Sequence, residues 1–155
     1  MAVGDITRVW SAAAEVAWSS GGPASLADAA FTGLTDEVDA AAGGNKVLDI
    51  QVAAKVTTAA GSPATQAHVA IWAATPADDS NYGGSANWVL VGVCFVPTAA
   101  SAAWSPKFSL AAAFGGALPK LFKLALENRT GIALAAGADD TEVYIARQHA
   151  NVQAS

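Results

Sequence analysis

The chain has 155 residues, 53% of them hydrophobic and only 14% charged, with a formal net charge of −5. That length carries one domain with a real core and is short for two. The acidic balance and singly scattered basic residues argue against nucleic-acid binding, which needs a basic stripe. No segment offers the roughly 18 uninterrupted apolar residues of a membrane span.

Residues 1–22 stand apart from the rest. Trp10 and Trp18 flank SAAAEVA, which reads as a short helix or as an arm lying on a neighbour. SSGGP then breaks the chain, and residues 23–155 form the main domain. The N-terminus MAVGDITRVW lacks the basic and apolar regions of a signal peptide.

From residue 46 the hydrophobic period becomes two. In KVLDIQVAAKVTT, Leu48, Ile50, Val52, Ala54 and Val56 share one face, with Asp49, Gln51, Lys55 and Thr57 on the other. This pattern predicts a half-buried strand. AGSPAT turns the chain, and QAHVAIWAA follows with Val69 and Ile71 opposite His68 and Trp72. The two strands read as a hairpin.

WVLVGVCFV is apolar on both faces: Val89, Val91, Val93 and Phe95 on one, Trp88, Leu90 and Cys94 on the other. Such a strand is expected to be covered on both sides, the second cover being another subunit. Cys94, the one cysteine, excludes an internal disulfide framework and reads as a small buried hydrophobe. Phe108 and Leu110 fall at strand spacing before Gly115-Gly116. KLFKLALEN points Phe122, Leu124 and Leu126 inward and Lys123, Glu127 and Arg129 outward. Asn128-Arg129-Thr130 fits the N-x-[ST] glycosylation pattern, but at a strand-to-turn junction it reads as turn chemistry, with Gly131 supplying a positive φ. IALAA is a further short strand, and TEVYIARQH is the last, with Val143 and Ile145 inward. Seven or eight short strands with no long helical pattern between them predict an all-β fold. The architecture expected is an antiparallel β-sandwich, jelly-roll-like, with an N-terminal arm.

Residues able to do chemistry are sparse. His68 and His149 are far apart and lack local partners, and there is no G-x-S-x-G elbow. Asp78-Asp79 and Asp139-Asp140 offer oxygens but not the spacing of a calcium loop. The glycine stretches do not match a phosphate-binding loop. No catalytic residue, metal or cofactor is expected. The aromatics are more telling. Trp72 lies opposite the apparent core face, and an outward Trp beside alanines marks a subunit contact or a ligand platform. The interface residues expected are Val9, Trp10, Trp18, Trp72, Trp88 and Leu90.

Phe108, Ser109, Phe114, Gly115, Gly116, Pro119, Lys120, Asn128, Thr130 and Gly131 make up an F-S…F-G-G, Pro-Lys, N-x-T-G series. With the upstream acidic turn, long strand and Ser-Pro turn, residues 24–150 resemble small virion proteins of tailed bacteriophages, the head decoration or cement type. The N-terminal stretch lies outside this likeness. The resemblance implies a jelly-roll-like protein of the outer head surface, assembled in the host cytoplasm. It would bind the major capsid protein and itself, as a homotrimer, without nucleic acid, membrane or cofactor. The alternative is a receptor- or carbohydrate-binding module of a tail or head fibre, using Trp72, Trp88 and Tyr82 and calcium at Asp78-Asp79.

Overall fold

A computed structural model describes residues 6–42, 46–77 and 81–152. Among these residues the chain forms ten strands, one short α-helix and a single 3-10 turn, Ser85–Asn87. The strands are β1 (Ile6–Trp10), β2 (Ala14–Glu15), β3 (Val38–Asp39), β4 (Val47–Val56), β5 (His68–Ala74), β6 (Val89–Phe95), β7 (Ala103–Trp104), β8 (Phe108–Ser109), β9 (Leu121–Arg129) and β10 (Glu142–Val152). The helix α1 is a single turn, Leu110–Ala113, whose first turn is capped by the Ser109 hydroxyl accepting from the Ala112 N–H.

The strands make two antiparallel sheets that pack as a β-sandwich. The first has the order β1-β10-β4-β7, with β2 continuing β1 along β10 and β8 continuing β7 along β4. The second has the order β3-β9-β5-β6. The core lies between them. The first sheet contributes Ile50, Val52, Ala54, Val56, Val143 and Ile145; the second contributes Val69, Ile71, Ala73, Phe122, Leu124 and Leu126. From Ile50 onward the alternation of β4 does what the sequence predicts, burying Ile50, Val52, Ala54 and Val56 while their neighbours stay half-exposed. Leu48, expected on the same face, is half-exposed, because the register with β10 shifts there and Val47 packs on the core.

Four local readings of the sequence are corrected. The β4–β5 hairpin does not form, because β4 pairs with β10, β7 and β8 whereas β5 pairs with β6 and β9. The connection instead carries the chain from one sheet to the other, and the apolar faces of β4 and β5 meet across the core. No helix forms at SAAAEVA: Ala14–Glu15 pairs with Tyr144 and Ile145, so the N-terminal segment is stitched along β10 as an edge row. Leu110 begins the helical turn rather than extending β8. IALAA contributes only an isolated bridge, Thr58 to Leu134.

The edge of β9 is extended by irregular backbone. Thr32 and Thr35 each donate their backbone N–H to Leu126 and Leu124 carbonyls at 2.9 Å. Their hydroxyls accept the N–H groups of the same two leucines, also at 2.9 Å. Threonine side chains thus complete a ladder that the non-repeating backbone leaves unfinished. The Asn128 side chain locks the next turn. Its amide donates to the carbonyls of Leu26 at 2.9 Å and Ile132 at 2.8 Å, and its oxygen accepts from Thr130. Asn128 is fully buried, so no glycan can occupy it without unfolding the turn. Gly131 follows with φ +81°, and a Cβ there would lie 2.8 Å from the Ala64 side chain.

Candidate interaction surface

The outer face of the second sheet carries the largest concentration of unburied apolar side chains. On β5, His68, Ala70, Trp72 and Ala74 point away from the core. Opposite them on β9 stand Arg129, Glu127, Ala125 and Lys123. On β6 the phase is set by a bulge. Ile71 pairs with Gly92 and Trp72 with Leu90, leaving Val91 as the extra residue. Val91 and Cys94 accordingly face the core, while Leu90, Val93 and Phe95 face out. The sequence placed Val91 and Phe95 on one face, and the bulge separates them. Gly92 is required at this point, because a Cβ would fall 2.5 Å from the Phe108 ring.

Phe31, which bridges to Glu127, completes the patch. Its ring meets Trp88 edge-on at 5.6 Å and Trp72 at 6.4 Å between centroids. The Trp72 indole N–H donates to the Glu127 carboxylate at 3.1 Å. Arg129 binds the other oxygen of that carboxylate through its Nε at 2.7 Å. Glu127 is buried, and these donors supply the compensation that a buried charge requires. Trp72 is therefore held in one orientation by a hydrogen bond and an aromatic neighbour. The Trp88 indole N–H is different: it is buried and has no partner among the described residues.

The six residues expected from sequence do not make one surface. Trp72, Trp88 and Leu90 come together on the second sheet. Val9 and Trp10 are exposed on β1, opposite His149 and Gln148 in the first sheet. Trp18 is half-buried and packs against the core, bridging to Thr35. Two residues not singled out from the sequence are more exposed than any of the six. Phe95 is 60% and Trp104 61% exposed, against 48% for Val9. Trp104 stacks on Tyr144 across the first sheet at 5.8 Å. The Tyr144 hydroxyl donates to Glu142, which also pairs with Lys55 at 3.0 Å. These bonds hold the Glu142 carboxyl below its usual range and push Tyr144 up to about 12.

The remaining polar candidates do not assemble. His68 lies in β5 and His149 in β10, in different sheets. His149, on β10, pairs with Val9 of β1 and Val47 of β4. Burial pushes the Cys94 thiol up to about 11, away from nucleophilic use. Asp78-Asp79 lies outside the described residues. Asp140 accepts the Gly137 N–H at 2.8 Å, closing its own turn. Among the described residues no group of three or more His, Cys, Asp or Glu is placed to hold a metal ion. No described helix is long and apolar enough to cross a membrane. The chain matches no protein-family model, no curated protein and no solved structure.

Proposed function

We propose that this chain is a structural protein of a phage virion, a decoration or cement protein of the outer head that binds junctions between major capsid subunits. The observation that carries the reading is the outer face of the second sheet. Phe31, Trp72, Trp88, Leu90 and Phe95 form an apolar surface anchored by the Glu127–Trp72 hydrogen bond. A face of this kind suits a protein partner, with aromatic anchors at its centre.

The jelly-roll-like expectation is supported by the strand order. Counting β1/β2 and β7/β8 as single rows, the chain visits rows 1, 8, 3 and 6 in one sheet and 2, 7, 4 and 5 in the other. Such a nesting is the one expected of the double Greek key of a jelly roll. The resemblance over residues 24–150 adds the homotrimer and the cytoplasmic assembly. Multivalent attachment to a symmetric shell sums weak apolar contacts and needs no active site. A surface of net charge −5 also disfavours stray binding to nucleic acid.

The test is copy number per purified particle, by quantitative mass spectrometry against the most abundant shell protein. Hundreds of copies are expected. A dozen or fewer would move the chain to the tail or a fibre, the receptor-binding reading, in which the exposed aromatics meet a glycan.

A further inference from the structure

The second sheet ends at β6, and this edge is unusual. Proteins blunt their edge strands with charge, proline, brevity or a covering segment. β6 runs for seven residues, Val89–Phe95, with neither charge nor proline in it. From Asn81 to Pro106 the sequence holds no Asp, Glu, Lys, Arg or His, although the chain as a whole carries −5. The open side also has a defined hydrogen-bond phase. Val96 donates its N–H to the Ala67 carbonyl at 2.9 Å, and Cys94 stands opposite Val69. In an antiparallel ladder alternate residues bond to the same neighbour. Val93 and Phe95 therefore direct their N–H and C=O groups away from β5, where no described strand receives them.

We infer that β6 is a self-association edge, pairing antiparallel with β6 of a second copy about a twofold axis beside Val93. Charge selects the occupant. Two acidic copies repel wherever their carboxylates approach, and this uncharged strip is where they meet without that cost. A charged partner would find no complementary group here. The strip is also self-complementary, as a twofold contact demands: Val93 faces Val93 of the other copy, with Leu90 and Phe95 flanking on the same outer face. The product is one continuous sheet of eight strands, twice the four of a single chain. It would join the apolar faces of both copies into one surface.

The inference goes beyond the head-binding reading and does not depend on it, because it is measured on the full chain alone. Light scattering after size exclusion gives the mass of the wild type, of Val93→Pro and of Phe95→Lys. Proline at residue 93 removes only the N–H on the open side, so the β5 ladder survives. The lysine places a charge beside the twofold axis, and it keeps the test alive if the proline variant fails to fold. Circular dichroism checks the fold of both. The expected result is a wild-type mass that falls by half in either folded variant, from a pair to a single chain. A threefold contact elsewhere gives the same halving, from two joined trimers to one. A wild type that is monomeric at its highest soluble concentration would overturn the inference. So would an assembly of unchanged mass in the folded variants.

Discussion

Two tryptophans on the same sheet face are predicted to behave in opposite ways. Trp72→Phe keeps an aromatic ring, though a smaller one, beside Phe31 and withdraws the indole N–H from Glu127, a buried carboxylate. Leaving such an acceptor short of a donor costs about 1–3 kcal/mol. Trp88→Phe removes an N–H that is buried and unpartnered. Deleting an unsatisfied donor is close to neutral or stabilising, offset by the smaller ring. Thermal denaturation of the two variants separates them: a lowered midpoint for Trp72→Phe, an unchanged or raised one for Trp88→Phe. Equal losses in both would mean that ring volume, rather than the hydrogen bond, sets the stability of this face. The outward position of Trp72 is legible from the period-two pattern around Val69 and Ile71. Its partners are not. Phe31 belongs to an irregular segment with no periodicity to reveal it. Glu127 reads as an ordinary solvent-facing residue until Trp72 and Arg129 are seen to cover it.

Strand β6 shows why an element can be recognised and still be misfaced. Its apolar run marks a strand, but a single extra residue at Val91 reverses the alternation beyond it. Nothing in WVLVGVCFV signals that shift except Gly92, whose missing Cβ makes room for Phe108. Gly92→Ala is expected to destabilise the fold by about 1–3 kcal/mol through overpacking. Gly92→Ala with Phe108→Leu should recover part of that loss, and chemical denaturation of the single and double variants measures the coupling. By contrast β4 was readable from Ile50 to Val56, because only one of its faces is buried, while the register shift at its start leaves Leu48 half-exposed and turns Val47 to the core. What it pairs with was not readable, since alternation reports burial and says nothing of the neighbour. Lys55 on β4 and Glu142 on β10 form one such long-range pairing. Glu142 is held below its usual value of 4.5 first by the Tyr144 hydrogen bond and then by Lys55. As pH falls the unfolded chain takes up the proton first. The stability contributed is therefore complete above about pH 4.5 and lost as pH drops through the lower folded value. Glu142→Gln should lower the midpoint at neutral pH and flatten its acid limb. An unaltered acid limb would mean that other carboxylates carry it.

At the scale of the molecule, the two clusters expected to make interfaces lie in different sheets. Trp72, Trp88 and Leu90 lie on the second sheet, Val9 and Trp10 on the edge row of the first. On the head-binding reading these clusters have different tasks. The sheet face is broad, aromatic and fixed by hydrogen bonds, which suits it to the shell. The edge at Trp10 is narrow, and a neighbouring decoration subunit is the occupant that fits it. Attachment to a lattice depends on both, through the affinity of each site and the coupling between adjacent copies. Leu90→Lys puts a charge into the apolar patch beside Trp72 and should cost intrinsic affinity, moving the whole binding curve on bare heads to higher protein concentration. Trp10→Ala should leave the monomer fold intact and weaken attachment by making the curve less steep, with the first copies binding nearly as well as before. Titration of bare heads, read by co-sedimentation, distinguishes a displaced curve from a shallower one. Displacement by Trp10→Ala as large as that by Leu90→Lys would place the first-sheet edge on the shell as well. A chain whose Leu90→Lys variant binds like the wild type would have its apolar face turned away from the head.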